Sequence, residues 1–368
     1  MDFIPAGTIL GDKIENRKNV DGEQMNNPWE DIKLDDYENH MSLDSVKQLQ
    51  TMDAIMKDQF EDYPVDTAMI FGIAGGNGLE HVRTEKYSKV YGVDINKDYL
   101  NVVSERYKNL SGVLECLQID LINEKEKIPK SQLVIANLLI EYIGYQAFRD
   151  AILRAKPEYV SCVIQINKDD HNWVSDSPYL HAFDRLDEVH FQMEEQELKK
   201  TMEEIGYQVL SVESYDLPNG KALLRIDFKK KMKYEEVYLS EFSDVFYVEE
   251  KNVALVHWKK YCELEQYRTP LEKALKVIKD HTACNYVADT RDGFEDNPLD
   301  TKWVAEYFMP KAKKYGCRII YFIIDENNSL REELEGQQKD SEQLFEFRYI
   351  YGIDEVGLFL SFSFIDDG

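Results

Sequence analysis

The chain has 368 residues, room for two domains, and its 43% hydrophobic and 31% charged residues are ordinary globular composition. Its 44 basic residues against 70 acidic ones leave a net charge of −26, which repels phosphate backbones and anionic lipid and argues against a nucleic-acid or membrane partner. No apolar run reaches a spanning length, residues 1–20 lack a signal peptide's apolar core, and the five scattered cysteines form no CxxC pair. A soluble cytoplasmic protein without disulfides or a metal centre is expected.

In chain order, residues 1–28 are polar and aperiodic and read as a loosely ordered leader. From 42 to 59 the apolar positions Val46, Leu49, Met52, Ile55 and Met56 recur every three to four residues, which predicts an amphipathic helix capped by Ser42. Strand and helix then alternate: strand 67–73, a glycine cluster, a short helix near 79–83, strand 89–93, helix 98–108, strands 115–120 and 132–138, helix 145–155 and strand 159–166. Such alternation predicts a parallel sheet covered on both faces. Helix 194–205 follows, then strands 208–215 and 222–228 joined through Asn219-Gly220, a hairpin signal that predicts an antiparallel end to the sheet. The basic stretch Lys229-Lys230-Lys231 with Lys233 marks the best boundary, so the domains expected are 29–232 and 233–368. The second would comprise strands 245–249, 252–256, 285–289, 318–324 and 345–351 with helices 264–281, 301–315 and 330–338. The fold class expected is α/β: a doubly wound, seven-stranded, mostly parallel sheet and a second, smaller α/β domain.

The most informative segment runs from a buried strand into Gly72-Ile73-Ala74-Gly75-Gly76-Asn77-Gly78 and on into a helix. Glycines permit positive φ and let a ligand touch the backbone, and a helix start offers unpaired N–H groups. Twenty-two residues after Gly72 the next strand ends at Asp94, where a doubly wound sheet hydrogen-bonds ribose hydroxyls. Twenty-six further on a strand ends at Asp120, placed to take an exocyclic adenine amine. For either carboxylate alone a helix cap is the alternative; their common register with the glycine turn favours a nucleoside ligand. The absence of GK[ST] after the glycines excludes a Walker-type phosphate site. A nicotinamide-dependent dehydrogenase shares this arrangement and remains an alternative, although GxGxxG would then be usual.

Over about residues 60–230 these features resemble the class I S-adenosylmethionine-dependent methyltransferases. The turn is similar to that family's first motif, which implies cofactor contacts at Gly72, Ala74, Gly75, Gly76 and Gly78. Gly92-Val93-Asp94-Ile95-Asn96 resembles its ribose-binding strand, Asp120 and Leu121 fall at its adenine position, and Asn137 and Leu138 lie beside its methionine moiety. The hairpin at Asn219-Gly220 suits its antiparallel seventh strand. The resemblance implies S-adenosylmethionine as cofactor and methyl transfer to a small-molecule acceptor. Two positions depart. Ala74 replaces the motif's first glycine, a mild change if that residue keeps negative φ, and Gly72 stands where an acid is usual. These departures, with no visible base, leave a non-catalytic cofactor-binding sensor or interaction protein as the competing function.

Methyl transfer from a sulfonium is an in-line displacement, so alignment and water exclusion matter more than any fixed triad. Tyr37-Glu38-Asn39-His40-Met41 resembles the Tyr-x-x-His-Met start of some uncharacterised bacterial methyltransferases, and in many enzymes of this class an N-terminal segment closes over the cofactor as a lid. Tyr37 and His40 are accordingly the catalytic candidates and Met41 an acceptor contact; a capped helix start with a surface histidine is the alternative. The long connection 167–190 carries His171, Trp173, Ser175, Ser177, Tyr179, His181 and His190, too aromatic for simple disorder. Ser177, Tyr179 and His181, with Tyr142, are the acceptor-binding candidates. The second unit resembles bacterial STAS-like modules in its order of elements, which implies a regulatory or oligomerising role through a homodimer or another protein. Thr290 is the local candidate for the phosphorylated hydroxyl of that family, with a structural turn as the alternative.

Overall fold

Runs of β-branched and apolar residues build the first sheet, and their alternation decides which face each side chain serves. The computed structural model describes residues 27–167, 174–175, 177–292, 297–325 and 345–357, and the chain divides into two units, Met1–Lys231 and Met232–Gly368. In the first unit the strands are β1 (Thr67–Phe71), β2 (Lys89–Asp94), β3 (Leu114–Gln118), β4 (Leu133–Asn137), β5 (Tyr159–Ile166), β6 (Tyr207–Asp216) and β7 (Ala222–Lys230). Their order is 3-2-1-4-5-7-6; β7 runs antiparallel to both β5 and β6, and the other pairs are parallel. This is the doubly wound, seven-stranded, mostly parallel sheet that the sequence implied. Along β1, Met69 and Phe71 enter the core on one face while Ala68 and Ile70 enter the core on the other. Strand order reverses between β1 and β4, which opens a crevice beyond their C-terminal ends.

The segment before β1 differs from the helix expected over 42–59. Three helices form: α1 (Pro28–Asp31), α2 (Leu34–Ser42) and α3 (Gln48–Glu61). Asn27 and Glu30 close a capping box around α1, and Asp35 and Asp36 place negative charge at the start of α2. Ser42 therefore ends a helix instead of starting one, and its hydroxyl donates back to the Asn39 carbonyl. After β2 comes α4 (Lys97–Arg106), and after β4 comes α5 (Ile140–Ala155), whose first turn is set off by Gly144 at φ 75° and ψ 164°. That extra turn precedes the helix expected over 145–155. Helix α6 (Glu195–Glu204) precedes the antiparallel strands.

The second unit holds a six-stranded sheet of β8 (Tyr234–Leu239), β9 (Ser243–Val248), β10 (Val253–Trp258), β11 (Asn285–Asp289), β12 (Ile319–Ile323) and β13 (Glu346–Ile350) in sequential order. Strands β10 to β13 are parallel; β8 and β9 are antiparallel. Strand β8 escapes sequence reading because it is a largely exposed edge with Glu235 and Glu236 in mid-strand. Helix α7 (Glu265–Asp280) and the helical stretch 298–314 contribute Leu275, Ile278, Phe308 and Ala312 to one face, as successive right-handed crossovers in one direction require. Thr290 is 1% exposed and its hydroxyl donates to the Ile323 carbonyl (3.0 Å), so it is the structural turn residue and not an accessible hydroxyl. The helix expected over 330–338 and residues 1–26 lie outside the described residues. Among the described residues no helix is long and apolar enough to cross a membrane.

Candidate functional site

Asp94 ends β2 at the crevice, and the backbone around it holds its carboxylate in place. Oδ2 accepts the Ala74 N–H (2.9 Å) and Oδ1 the Asn96 N–H (2.9 Å). Burial outweighs these bonds and pushes the carboxyl up to about 6. Asn96 caps α4 and also donates through Nδ2 to the Trp29 carbonyl (3.0 Å), while the Tyr99 hydroxyl donates to the Ile32 carbonyl (2.8 Å). Residues 29–32 are thereby tied across the crevice mouth. The cavity so formed encloses about 720 Å³ counted out to its open mouth. Its wall includes Gly72, Ala74, Asp94 and Ile95 on the turn side, Asp120 and Leu121 on β3's exit, and Asn137 and Leu138 at the end of β4.

Helix α2 forms the roof. The Arg106 guanidinium grips both oxygens of Glu38 and donates to the Gly75 carbonyl (3.1 Å). A Cβ on Gly75 would run into the Glu38 carboxylate, so glycine here is what lets the roof's ion pair rest on the turn. Trp29 meets the edges or faces of Tyr37 and Tyr142 at ring separations of 5.9 and 4.8 Å. Burial, then the charges of Asp94 and Glu38, raises the Tyr37 phenol to about 12, so it stays protonated at neutral pH.

A second cavity lies behind these rings and shares Trp29, Tyr37, Leu138 and Tyr142 with the first. His40, Met41, Gln48, Glu141, Gln165 and His190 also line it. His40 is 2% exposed, its Nδ1 lies 2.6 Å from Ser177 Oγ, and its ring packs 4.8 Å from that of Phe183. Burial, then Lys221, lowers its pKa, which keeps the imidazole neutral. The surface histidine of the sequence alternative is thus a core histidine. A third cavity, beside the glycine turn, shares Tyr37, Leu138, Met41 and Gly72 with the others and touches Gly75.

Not every candidate reaches these cavities. Cβ atoms on Gly76 and Gly78 would meet Tyr107 and Met56, so these two glycines admit neighbouring helices and line none of the three cavities. Asp120 lines the first, yet its Oδ1 accepts the Ile122 N–H (2.8 Å) and its Oδ2 the Asn123 amide (2.6 Å): it caps its own turn. His181 is corrected outright, since its side chain is 93% exposed and faces Asp184. Tyr179 joins the apolar cluster of Ile32, Phe183 and Leu186 that seats the roof, and Ser177 reaches the site only through His40. His171 and Trp173 lie outside the described residues. Ala74 takes φ 46°, against the negative φ that would make its replacement of glycine mild, and Leu138 takes φ 53°. Both are left-handed non-glycine residues on the cavity walls, where strain of this kind collects. Asn137 pairs amide to amide with Gln59 (2.8 and 3.0 Å).

Sequence reasoning missed Trp29 and Glu141. For Trp29 the signal was the Asn27-Pro28-Trp29-Glu30 capping pattern, which straddles the end of the segment read as leader; for Glu141 it was one acid within the apolar run from Leu138 to Ile143.

No protein-family model matches the chain, and no curated protein matches it. Solved structures that resemble it include the N-methyltransferase NodS from Bradyrhizobium japonicum, at 11% identity and TM-score 0.37 over 50% of this chain and 96% of that one. Magnesium protoporphyrin IX methyltransferase from Synechocystis, solved with S-adenosylmethionine bound, aligns at 12% identity and TM-score 0.38 over 63% of this chain and 100% of that one. The [4+2]-cyclase SpnF aligns at 9% identity and TM-score 0.40 over 61% and 93%.

Proposed function

We propose that the first unit is an S-adenosylmethionine-dependent methyltransferase acting on a small molecule. The observation that carries this is a pair of contiguous cavities at the sheet's switch point, with the buried Asp94 in one and a polar, aromatic chamber next to it. The residues fit the cofactor: the Asp94 carboxylate, held by backbone N–H groups, has acceptor capacity left for a ribose hydroxyl, Ile95 and Leu121 offer apolar walls to a base, and the buried Trp29 Nε1, without a partner among the described residues, is a donor for a ligand's oxygen. Bound there, the cofactor would supply an electrophilic methyl group. This chain's part is to bind the two molecules end to end across Tyr37, Leu138 and Tyr142 and to keep water out. The neutral His40 and protonated Tyr37 would position the acceptor by hydrogen bonding.

We read the second unit as a STAS-like regulatory or oligomerising module, a reading supported by its own core and by exposed Tyr234 and Leu239 on the edge strand β8.

Calorimetry with S-adenosylhomocysteine tests the cofactor assignment. Binding that weakens at least tenfold in Asp94→Ala is the result expected, since hydrogen bonds to a charged group are worth about 1.5–3 kcal/mol. Binding of NAD in its place would transfer the site to the dehydrogenase reading.

A further inference from the structure

Glu141 is 4% exposed, and its two carboxylate oxygens are in different states. Oε1 accepts the Gln165 N–H (2.8 Å), whereas Oε2 has no hydrogen-bond partner among the described residues. A buried, unmatched acceptor costs about 1–3 kcal/mol, and more when charged, so it calls for an explanation by what binds there. The walls of the second cavity do not supply one. Gln48 Nε2 donates to Gln165 Oε1 (3.0 Å), Gln165 Nε2 donates to Asn167 Oδ1 (2.8 Å), and His40 Nδ1 meets Ser177 Oγ. Gln48, Gln165 and His40 Nδ1 are thus committed elsewhere, the Trp29 Nε1 donor on the same wall does not reach Oε2 either, and Glu141 faces a chamber walled by Trp29, Tyr37, Tyr142 and Phe183.

We infer that the second cavity is the acceptor subsite for a small primary or secondary amine on an apolar or aromatic body, received as its ammonium by Glu141 Oε2 between these rings. The inference rests on the methyltransferase reading above for the reaction, though not for the binding. Three considerations select the amine. An anionic ligand would bring like charge against a buried carboxylate. A neutral alcohol would meet Oε2 but leave the ionised carboxylate without a counter-charge. An ammonium answers both, and aromatic walls stabilise a desolvated cation. Burial raises the Glu141 carboxyl to about 7, which also equips it to exchange a proton near neutrality.

The step balances. The ammonium proton passes to Glu141 Oε2, leaving a neutral amine with a free lone pair. That lone pair forms the C–N bond as the methyl C–S bond breaks, and the electron pair of the broken bond goes to sulfur. The product leaves as a methylated ammonium, and Glu141 returns its proton to solvent.

Benzylamine, benzyl alcohol and benzoate share one body and differ at the group that Glu141 would meet. Their binding to the full chain is measured calorimetrically, with and without S-adenosylhomocysteine, in wild type and Glu141→Gln. Benzylamine should bind wild type at least tenfold more tightly than the other two and lose at least tenfold in the variant. S-adenosylhomocysteine affinity should stay within twofold, because Glu141 lines only the second cavity. An alcohol or benzoate equal to the amine, amine affinity that survives Glu141→Gln, or no binding of any probe overturns the inference. If the variant fails to fold, the wild-type ranking alone decides. Amine preference without any S-adenosylhomocysteine binding would sustain the subsite and refute the cofactor assignment.

Discussion

The Glu38 carboxylate and the Arg106 guanidinium, 68 positions apart in the chain, form a two-point ion pair directly over Gly75 and so latch helix α2 onto the glycine turn. The partners' side chains are 27% and 41% exposed, so the latch is worth at most about 1 kcal/mol. It holds the roof down on the glycine turn.

Replacing Gly75 by Ala should spring that latch. The new methyl would meet only the far ends of Glu38 and Arg106, which can swing away, so the fold should survive. Amide exchange in Leu34–Ser42 is expected to quicken by up to about fivefold, the equivalent of ~1 kcal/mol, with β1 and β4 unchanged. Unchanged exchange in α2 would show that the ion pair does not hold the roof.

The raised carboxyl of Asp94 predicts opposite pH effects on binding and on stability. Ligand hydroxyls prefer the ionised form, so affinity for S-adenosylhomocysteine should rise from pH 5 to 7, by at most about tenfold per unit below 6, and then level off. In the unliganded protein, the native carboxyl keeps a proton that the unfolded one has lost. Between its ordinary value and about 6 this group therefore makes stability fall as pH rises. Asp94→Asn should flatten both profiles, read by calorimetry and by urea unfolding.

His40→Ala bears on stability as well as on any transfer rate, contrary to what a surface histidine would do. It removes the His40 partner of the Ser177 hydroxyl, which keeps only the Tyr179 N–H (3.1 Å), and leaves a gap beside Phe183, a loss of about 1–3 kcal/mol. The lowered pKa fixes the sign: below the ordinary value near 6.5 the unfolded imidazole takes a proton that the native one refuses, so wild-type stability declines on acidification. The gap in melting temperature between wild type and variant should be widest above pH 7 and narrow toward pH 5.5. A constant gap would contradict a buried, neutral His40.

Ala74→Gly should stabilise the protein. A left-handed alanine carries about 1 kcal/mol of strain that glycine does not, less the extra chain entropy glycine brings to the unfolded state. A gain of about 0.5 kcal/mol by urea unfolding is expected, and a loss would mean that the methyl group makes a contact outweighing the strain.

Neighbouring residues were enough to read the strands 67–73, 89–93 and 159–166, the glycine turn between a strand and Asp94, and the antiparallel end of the sheet announced by Asn219-Gly220. Such features depend on side-chain alternation, positive-φ glycines and turn chemistry, all set within a few positions. The start of α3 at Gln48 was not readable, because the apolar spacing of Val46 to Met56 already begins in the break before it and no side chain caps that helix. Nor did spacing distinguish Gly75, which yields to Glu38, from Gly76 and Gly78, which yield to Tyr107 and Met56. His40 and Ser177 stand 137 residues apart, and Glu141 is one more acid at a helix start until β5 and the roof close around it. Burial, proton affinity and the partner of a polar atom are properties of what packs against it from elsewhere in the chain, so they exist only once distant segments have met.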